Sequence, residues 1–284
     1  MNRILVIGAT GNIGREVISQ LSAAGAPVRA MVRNPESTQL PGDVEVVKGD
    51  LTVPEGLDAC LDGAPTVFLL WTAPPDAIAP AMDRILKQAQ RVVFLSAPLK
   101  TPHPFFQQPN PLRKVPEQIE KLIEASQVEW TFLRPGMLDS NARLWWAPAI
   151  CGGEVVRWPY LGVETAPTDE RDIAAIAVRA LCEEGHSGAE YVITGPESLT
   201  QVEQVSIIGR VIGRSLRVEE ISPEEARREL LHLGPLFIVN MLLDAWGASV
   251  GHPAFVTSTV AEVTGRPAGT FVDWAKDNAS AFRA

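Results

Sequence analysis

Three glycines spaced by two residues each, Gly8, Gly11 and Gly14, stand between a short apolar run and an amphipathic one. Gly8 permits a turn too tight for a side chain. Gly11 removes the Cβ that would hold a pyrophosphate away from the backbone, and Gly14 lets the following helix lie close on a sheet. The amide groups of Asn12, Ile13 and Gly14 at the start of that helix have no partner within it, so they point at whatever occupies the bend. An anion belongs there. Arg33 follows the second apolar alternation, at the place where folds selecting NAD carry an acid for the ribose 2′-hydroxyl. A guanidinium at this position suits a 2′-phosphate, and therefore NADPH; a solvated strand-end arginine is the alternative.

These residues need a sheet to hold them. Ile4 to Ile7 is a continuous apolar run, as a strand buried on both faces requires, and Ile13, Val17, Ile18 and Leu21 form a helical stripe behind the bend. Further strands are predicted over 27–32, ended by Asn34-Pro35, then over 44–47, 66–71 and 91–95. Helical patterns over 56–61 and 76–90 alternate with them, which makes the fold class α/β, a Rossmann doubly wound parallel sheet. Trp71, Thr72 and Ala73 then sit at the carboxyl end of the fourth strand, on the crevice where such sheets bind ligands.

The segment GATGNIG, residues 8 to 14, resembles the fingerprint of the extended and atypical short-chain dehydrogenase/reductases, in particular the NmrA-like group. A second segment, Val128 to Met137, resembles the group's W/Y-T-x-L-R-P stretch. The resemblance implies NADPH held by Gly8, Thr10, Gly11, Asn12, Ile13 and Gly14. It also implies that Asp50 meets the adenine amino group and Leu51 packs on the ring, although Asp50 alone reads equally as a turn cap. Pro135, Gly136 and Met137 inherit the backbone approach to the nicotinamide, and Asn141 stands where the group places an asparagine. Ser96, with Ala97 beside it, occupies the position of the serine that bonds the substrate carbonyl; satisfying backbone at a strand end is its other reading. The Tyr-x-x-x-Lys of the wider short-chain dehydrogenase/reductase superfamily is missing. Residues 112–117 read Leu-Arg-Lys-Val-Pro-Glu, and neither Tyr160 nor Tyr191 has a lysine four residues on.

The substrate side is predicted from three stretches. A loop from Pro98 to Pro116, punctuated by Pro102, Pro104, Pro109 and Pro111, carries His103, Phe105 and Phe106. An aromatic group, Trp145, Trp146, Trp158 and Tyr160, follows the sixth strand; it reads either as packing or as the wall of a pocket for a flat substrate. The apolar stretch 236–246 offers an inner face to close over that substrate. The expected activity is NADPH-dependent reduction of a carbonyl on a hydrophobic, polycyclic aromatic, polyketide-like compound, with the proton supplied by Ser96, His103 or the substrate itself. Within the family the narrower likeness is to angucyclinone-type ketoreductases of antibiotic pathways. The alternatives are a non-catalytic NADP(H)-binding redox sensor of NmrA type, and a quinone or ene reductase using Lys114 or Lys121.

The 284 residues are enough for a nucleotide-binding core and an appended lobe. The division predicted is a Rossmann core over 1–140, a substrate-lobe insertion over 141–167, a return helix and strand over 168–199, and a helical lobe over 200–284. Thirty-four acidic against 25 basic residues give a net charge of −9, which argues against nucleic acid as a partner. Cys60, Cys151 and Cys182, and His103, His186, His232 and His252, are scattered in patterns that suit neither a metal site nor a disulfide framework. The longest apolar stretch, broken by Asn240 and Asp244, is too short to span a bilayer, and no leader is apparent, so the expectation is a cytoplasmic protein with no membrane association, monomer or homodimer.

Overall fold

The computed structural model describes residues 2–283. Its strands are β1 (Ile4–Ile7), β2 (Val28–Val32), β3 (Glu45–Lys48), β4 (Thr66–Leu70), β5 (Arg91–Leu95), β6 (Glu129–Pro135), β7 (Val156–Trp158), β8 (Glu164–Thr165), β9 (Ala189–Ile193), β10 (Leu199–Thr200) and β11 (Val218–Glu220). Seven of them form one parallel sheet in the order β3-β2-β1-β4-β5-β6-β9. The chain winds outward from β1 to β3, then crosses back to β4 beside β1. The strand order therefore reverses between β1 and β4, and a crevice opens at their carboxyl ends.

The continuous apolar runs are explained by helices on both faces. Ile4 and Val6 of β1 pack with the helices Asn12–Ala23 and Glu170–Cys182, while Leu5 and Ile7 point the other way, toward Leu57–Leu61, Ile78–Gln88 and Lys114–Glu124. Each fully buried aliphatic side chain contributes about 1.5–3 kcal/mol, and every residue of β1 is buried.

A third core belongs to the lobe. It gathers Trp146 and Ile150 of Asn141–Gly152, Trp158 of β7, Val205 and Ile208 of Gln201–Ile212, and Leu243 and Trp246 of Leu236–Ser249. The lobe is mostly helical, as the pattern predicts, but it also contains two small ladders that patterning missed: β7 pairs in parallel with β11, and β8 pairs antiparallel with β10. Between the two lobe segments, Glu170–Cys182 and β9 return to the sheet. The proline-rich stretch is less irregular than expected. It holds a short helix, Pro104–Gln107, and a single 3-10 turn, Pro111–Arg113. Among the described residues no helix is long and apolar enough to cross a membrane.

Candidate active site

Gly8 leaves β1 with a φ of +87°, and a Cβ there would stand 2.7 Å from that of Leu70 on β4. At Gly14 a Cβ would lie 2.1 Å from the Gly8 carbonyl oxygen, so the helix can rest on the bend only with glycine in this place. Gly11 differs from both. Its added Cβ meets only the Gly8 oxygen, at 3.5 Å, and otherwise projects into open space, where it would obstruct a ligand rather than the protein. Gly11 is also the extended residue before Asn12–Ala23 and offers no side-chain cap, which leaves the first amides of that helix free for an anion.

A cavity of about 440 Å³ opens over this bend. Gly8, Thr10, Gly11, Arg33, Asp50, Leu51, Thr72 and Ala73 line it together with Gly49 and Pro74, and Met31 and Thr52 are among residues the sequence did not single out. Arg33 is exposed and makes no ion pair among the described residues. The Asp50 carboxylate accepts from the Thr52 amide at 2.9 Å and from its hydroxyl at 2.8 Å. Those two hydrogen bonds, with a smaller contribution from Arg33, hold its pKa below the usual carboxylate range. The turn-cap reading of Asp50 is therefore realised, and its second oxygen is left over for a ligand. Leu51 belongs to the core and to the cavity wall at once. Ile13 is buried in the core, so only its backbone reaches the bend, and Asn12 lines a separate groove. Trp71 is a correction: its ring packs on the far helical layer and its Nε1 donates to the Ala73 carbonyl at 2.7 Å, so it braces the turn without lining the cavity.

The residues present fit a dinucleotide: a glycine cradle that a Cβ would fill, free amides at a helix start, a free guanidinium and an acidic group at the far end. Farther along the same sheet edge lies a second cavity, of about 200 Å³. Ala97 and Leu99 beyond β5, and Gly136 and Met137 beyond β6, form its floor; Phe105 and Phe106 from the proline loop and Met241, Leu242 and Ala245 from Leu236–Ser249 form its walls. The Gly136 amide donates to the Ile193 carbonyl at 2.9 Å and the Thr168 amide to that of Met137 at 2.8 Å, which fixes this floor. Pro135 closes β6 opposite Ile193.

Both proton-donor candidates are engaged elsewhere. The Ser96 hydroxyl donates to Glu120 Oε1 at 2.6 Å, and Glu120 is held in turn by Arg134 through Nε at 3.0 Å and Nη2 at 2.8 Å. Ser96 lines neither cavity. His103 is buried, with Nδ1 accepting from the Phe105 amide at 3.2 Å and Nε2 donating to the Pro253 carbonyl at 3.0 Å. That pairing assigns its proton to Nε2. It turns the ring to a small neighbouring hollow of about 20 Å³ and not to the larger cavity. Lys114 and Lys121 line neither cavity.

The tryptophans are a second correction. Trp146, Trp158 and Trp246 are at most 1% exposed, and ring centroids in the cluster with Trp145 lie 5.5–5.8 Å apart. They make the interior of the lobe and do not touch the cavity. Tyr160, at a φ of 53°, lays its ring against Gly247, and Asn141 opens its helix outside the pocket. Behind the floor, Asp139 is 1% exposed with neither carboxyl oxygen bonded. Burial, and then the negative charges of Asp169, Glu170 and Asp172, push its pKa well above the carboxylate range. Among the described residues no group of histidine, cysteine or acidic side chains is arranged to hold a metal.

Comparison with known proteins agrees with this geometry. Residues 8–184 match the NAD(P)H-binding family. The chain is 39% identical to a (4-alkanoyl-5-oxo-2,5-dihydrofuran-3-yl)methyl phosphate reductase of Streptomyces griseus, over 98% of this chain and 99% of that one. It is 32% identical to an NAD(P)H azoreductase of Xenophilus azovorans, over 99% of each. An NADPH-dependent quinone oxidoreductase of Escherichia coli shares the fold, with a TM-score of 0.80 at 24% identity over 96% of this chain and 98% of that one. The chain belongs to the NAD(P)H-binding family, among the NmrA-like atypical short-chain dehydrogenase/reductases, and is an oxidoreductase that uses a nicotinamide cofactor.

Proposed function

We propose that the protein is an NADPH-dependent reductase of small conjugated electrophiles, such as quinones and enones. The observation carrying this reading is the lining of the 200 Å³ cavity: it holds no carboxyl, imidazole, thiol, phenol or amine side chain, and its one charged group is the Arg113 guanidinium. Reduction of an isolated ketone leaves charge on one oxygen, and general acid catalysis of that step is worth about two to four powers of ten. The pocket offers no group for it. A conjugated acceptor spreads the incoming charge over an enolate or hydroquinone oxygen, which water then protonates. Bound NADPH supplies the hydride, and one solvent proton completes the two-electron reduction. The residues of the chain have the remaining tasks: the bend at Gly8 to Gly14 anchors phosphate, Arg33 favours the 2′-phosphorylated form, and the apolar floor and walls exclude water around the acceptor.

The relatives' names point the same way. The Streptomyces compound is named as a ring with a carbon–carbon double bond conjugated to a ring carbonyl and an acyl group, and the others are named for azo compounds and quinones. At about 200 Å³ the cavity lies below the roughly 300–1,000 Å³ of pockets for larger ligands, which favours one or two rings over a polycyclic polyketide. An aromatic ketone polarised by its own adjacent phenol needs no protein acid either, and this keeps the carbonyl reading as a second substrate class. The second cavity beside the nucleotide cleft speaks for turnover and against a pure sensor. The test is NADPH oxidation with naphthoquinone, a cyclic enone, a simple aryl ketone and no acceptor. Turnover confined to the conjugated compounds is expected; oxidation by the aryl ketone alone, or by none, overturns the reading.

A further inference from the structure

One corner of the acceptor cavity is polar, and it is built almost entirely of donors. Arg113 lines it, and its guanidinium is fixed by giving Nη1 to the Phe106 carbonyl at 3.0 Å and Nη2 to the Leu99 carbonyl, with Glu117 3.5 Å from Nε. Five N–H groups are available on a guanidinium, so one on each Nη remains. Beside it, Asn110 spends its side-chain oxygen on the Leu112 amide at 2.8 Å, which leaves its NH₂ group unassigned. Gln108 contributes one free acceptor oxygen, since its amide nitrogen donates to the Pro104 carbonyl at 3.1 Å. No acidic side chain lines the cavity, although the chain as a whole carries a net charge of −9. A pocket with apolar walls and one cationic, donor-rich end has the polarity of a ligand with a conjugated ring at one end and an anion at the other.

We propose that the acceptor carries an anionic substituent, a phosphate, sulfonate or carboxylate, which seats against Arg113 and Asn110 while its conjugated ring lies against Phe106, Met137 and Met241. This rests on the reductase reading above and narrows it. The guanidinium is held before the ligand arrives, so little ordering cost offsets the charge-assisted bonds.

The test is calorimetric titration of the NADP⁺-loaded protein with 1,4-naphthoquinone-2-sulfonate and with neutral 1,4-naphthoquinone at low salt. The sulfonate is expected to bind at least about 10-fold more tightly, with the gap shrinking as salt is raised. Arg113→Gln is expected to abolish the gap but also loosens the loop it ties. Asn110→Asp avoids this: it retains the oxygen that caps Leu112, leaves Arg113 in place and sets a negative charge in the corner, so the preference for the sulfonate is expected to fall or reverse. Equal affinities in the unmodified protein, no binding of either quinone, or a preference unmoved by Asn110→Asp would each overturn the proposal. Continued NADPH oxidation by the neutral quinone alongside such a result leaves the reductase reading standing; loss of oxidation with every acceptor removes that reading itself.

Discussion

Removing the Ser96 hydroxyl separates two roles by the size of what is lost. If that hydroxyl protonated or polarised the substrate, Ser96→Ala would forfeit about two to four powers of ten in turnover. The structure assigns it instead to Glu120, at 2.6 Å, as one of three hydrogen bonds from Ser96 and Arg134 onto that buried carboxylate. A hydrogen bond to a charged group is worth roughly 1.5–3 kcal/mol, and the variant leaves Glu120 still paired with Arg134, so the expected loss lies at the lower end of that range. In a chain of this size about 1.5 kcal/mol lowers the thermal midpoint by roughly 2–3 °C. The expected outcome for Ser96→Ala is a less stable protein whose kcat for a conjugated acceptor stays within about threefold of the starting value. The assay pairs thermal melting with NADPH oxidation well below the lowered midpoint. A hundredfold fall in kcat with an unchanged melting curve refutes this reasoning and restores Ser96 as the acid.

Three further outcomes follow from the same structure. Arg33→Ala should weaken NADPH by roughly 5–30-fold, from an exposed charge-assisted contact of about 1–2 kcal/mol, and leave NADH nearly unchanged; equal weakening of both in fluorescence titrations removes the 2′-phosphate clamp. Arg134→Leu strands Glu120 in the interior and should cost about 3–5 kcal/mol in urea unfolding, much of it recovered when Glu120→Leu is added; additive losses would show that the pair is not coupled. Asp139 has a folded pKa above its unfolded one, so the native state holds a proton that the unfolded chain releases once pH exceeds the ordinary carboxylate range. Stability then falls with rising pH because of this group. Asp139→Asn should therefore melt higher than the parent once pH rises above about 4, with the gap closing below that; a gap independent of pH contradicts the assignment.

The cofactor half was legible because its signals are local. The bend at Gly8 to Gly14 lies between one strand and one helix, and backbone sterics alone dictate where glycine must stand. Equally local chemistry opens the helix Pro223–Glu229, where Ser222 and Glu225 form a capping box. The acceptor cavity was only half visible, since its wall comes from residues 97–113, 136–137 and 241–245, which meet only through tertiary packing. The stretch 236–246 was expected to close over a substrate, and Met241, Leu242 and Ala245 do face the cavity, but nothing local distinguished Arg113 as the charge beside them. Ser96 was ambiguous because its partner Glu120 lies 24 residues away on another element. The tryptophans misled for a different reason. Asn141–Gly152 is apolar on most faces, so the pattern does not say whether a ring turns toward a ligand or into the lobe, and the lobe core took them.

The central claim, phosphate over the glycine bend and a conjugated ring beyond the ends of β5 and β6, is tested most directly by crystals grown with NADP⁺ and naphthoquinone-2-sulfonate. The account predicts pyrophosphate density against Gly11 and the start of Asn12–Ala23, and a ring bounded by Ala97, Met137 and Met241. Density for the ring anywhere else in the molecule, or for the dinucleotide away from Gly8 to Gly14, would contradict it.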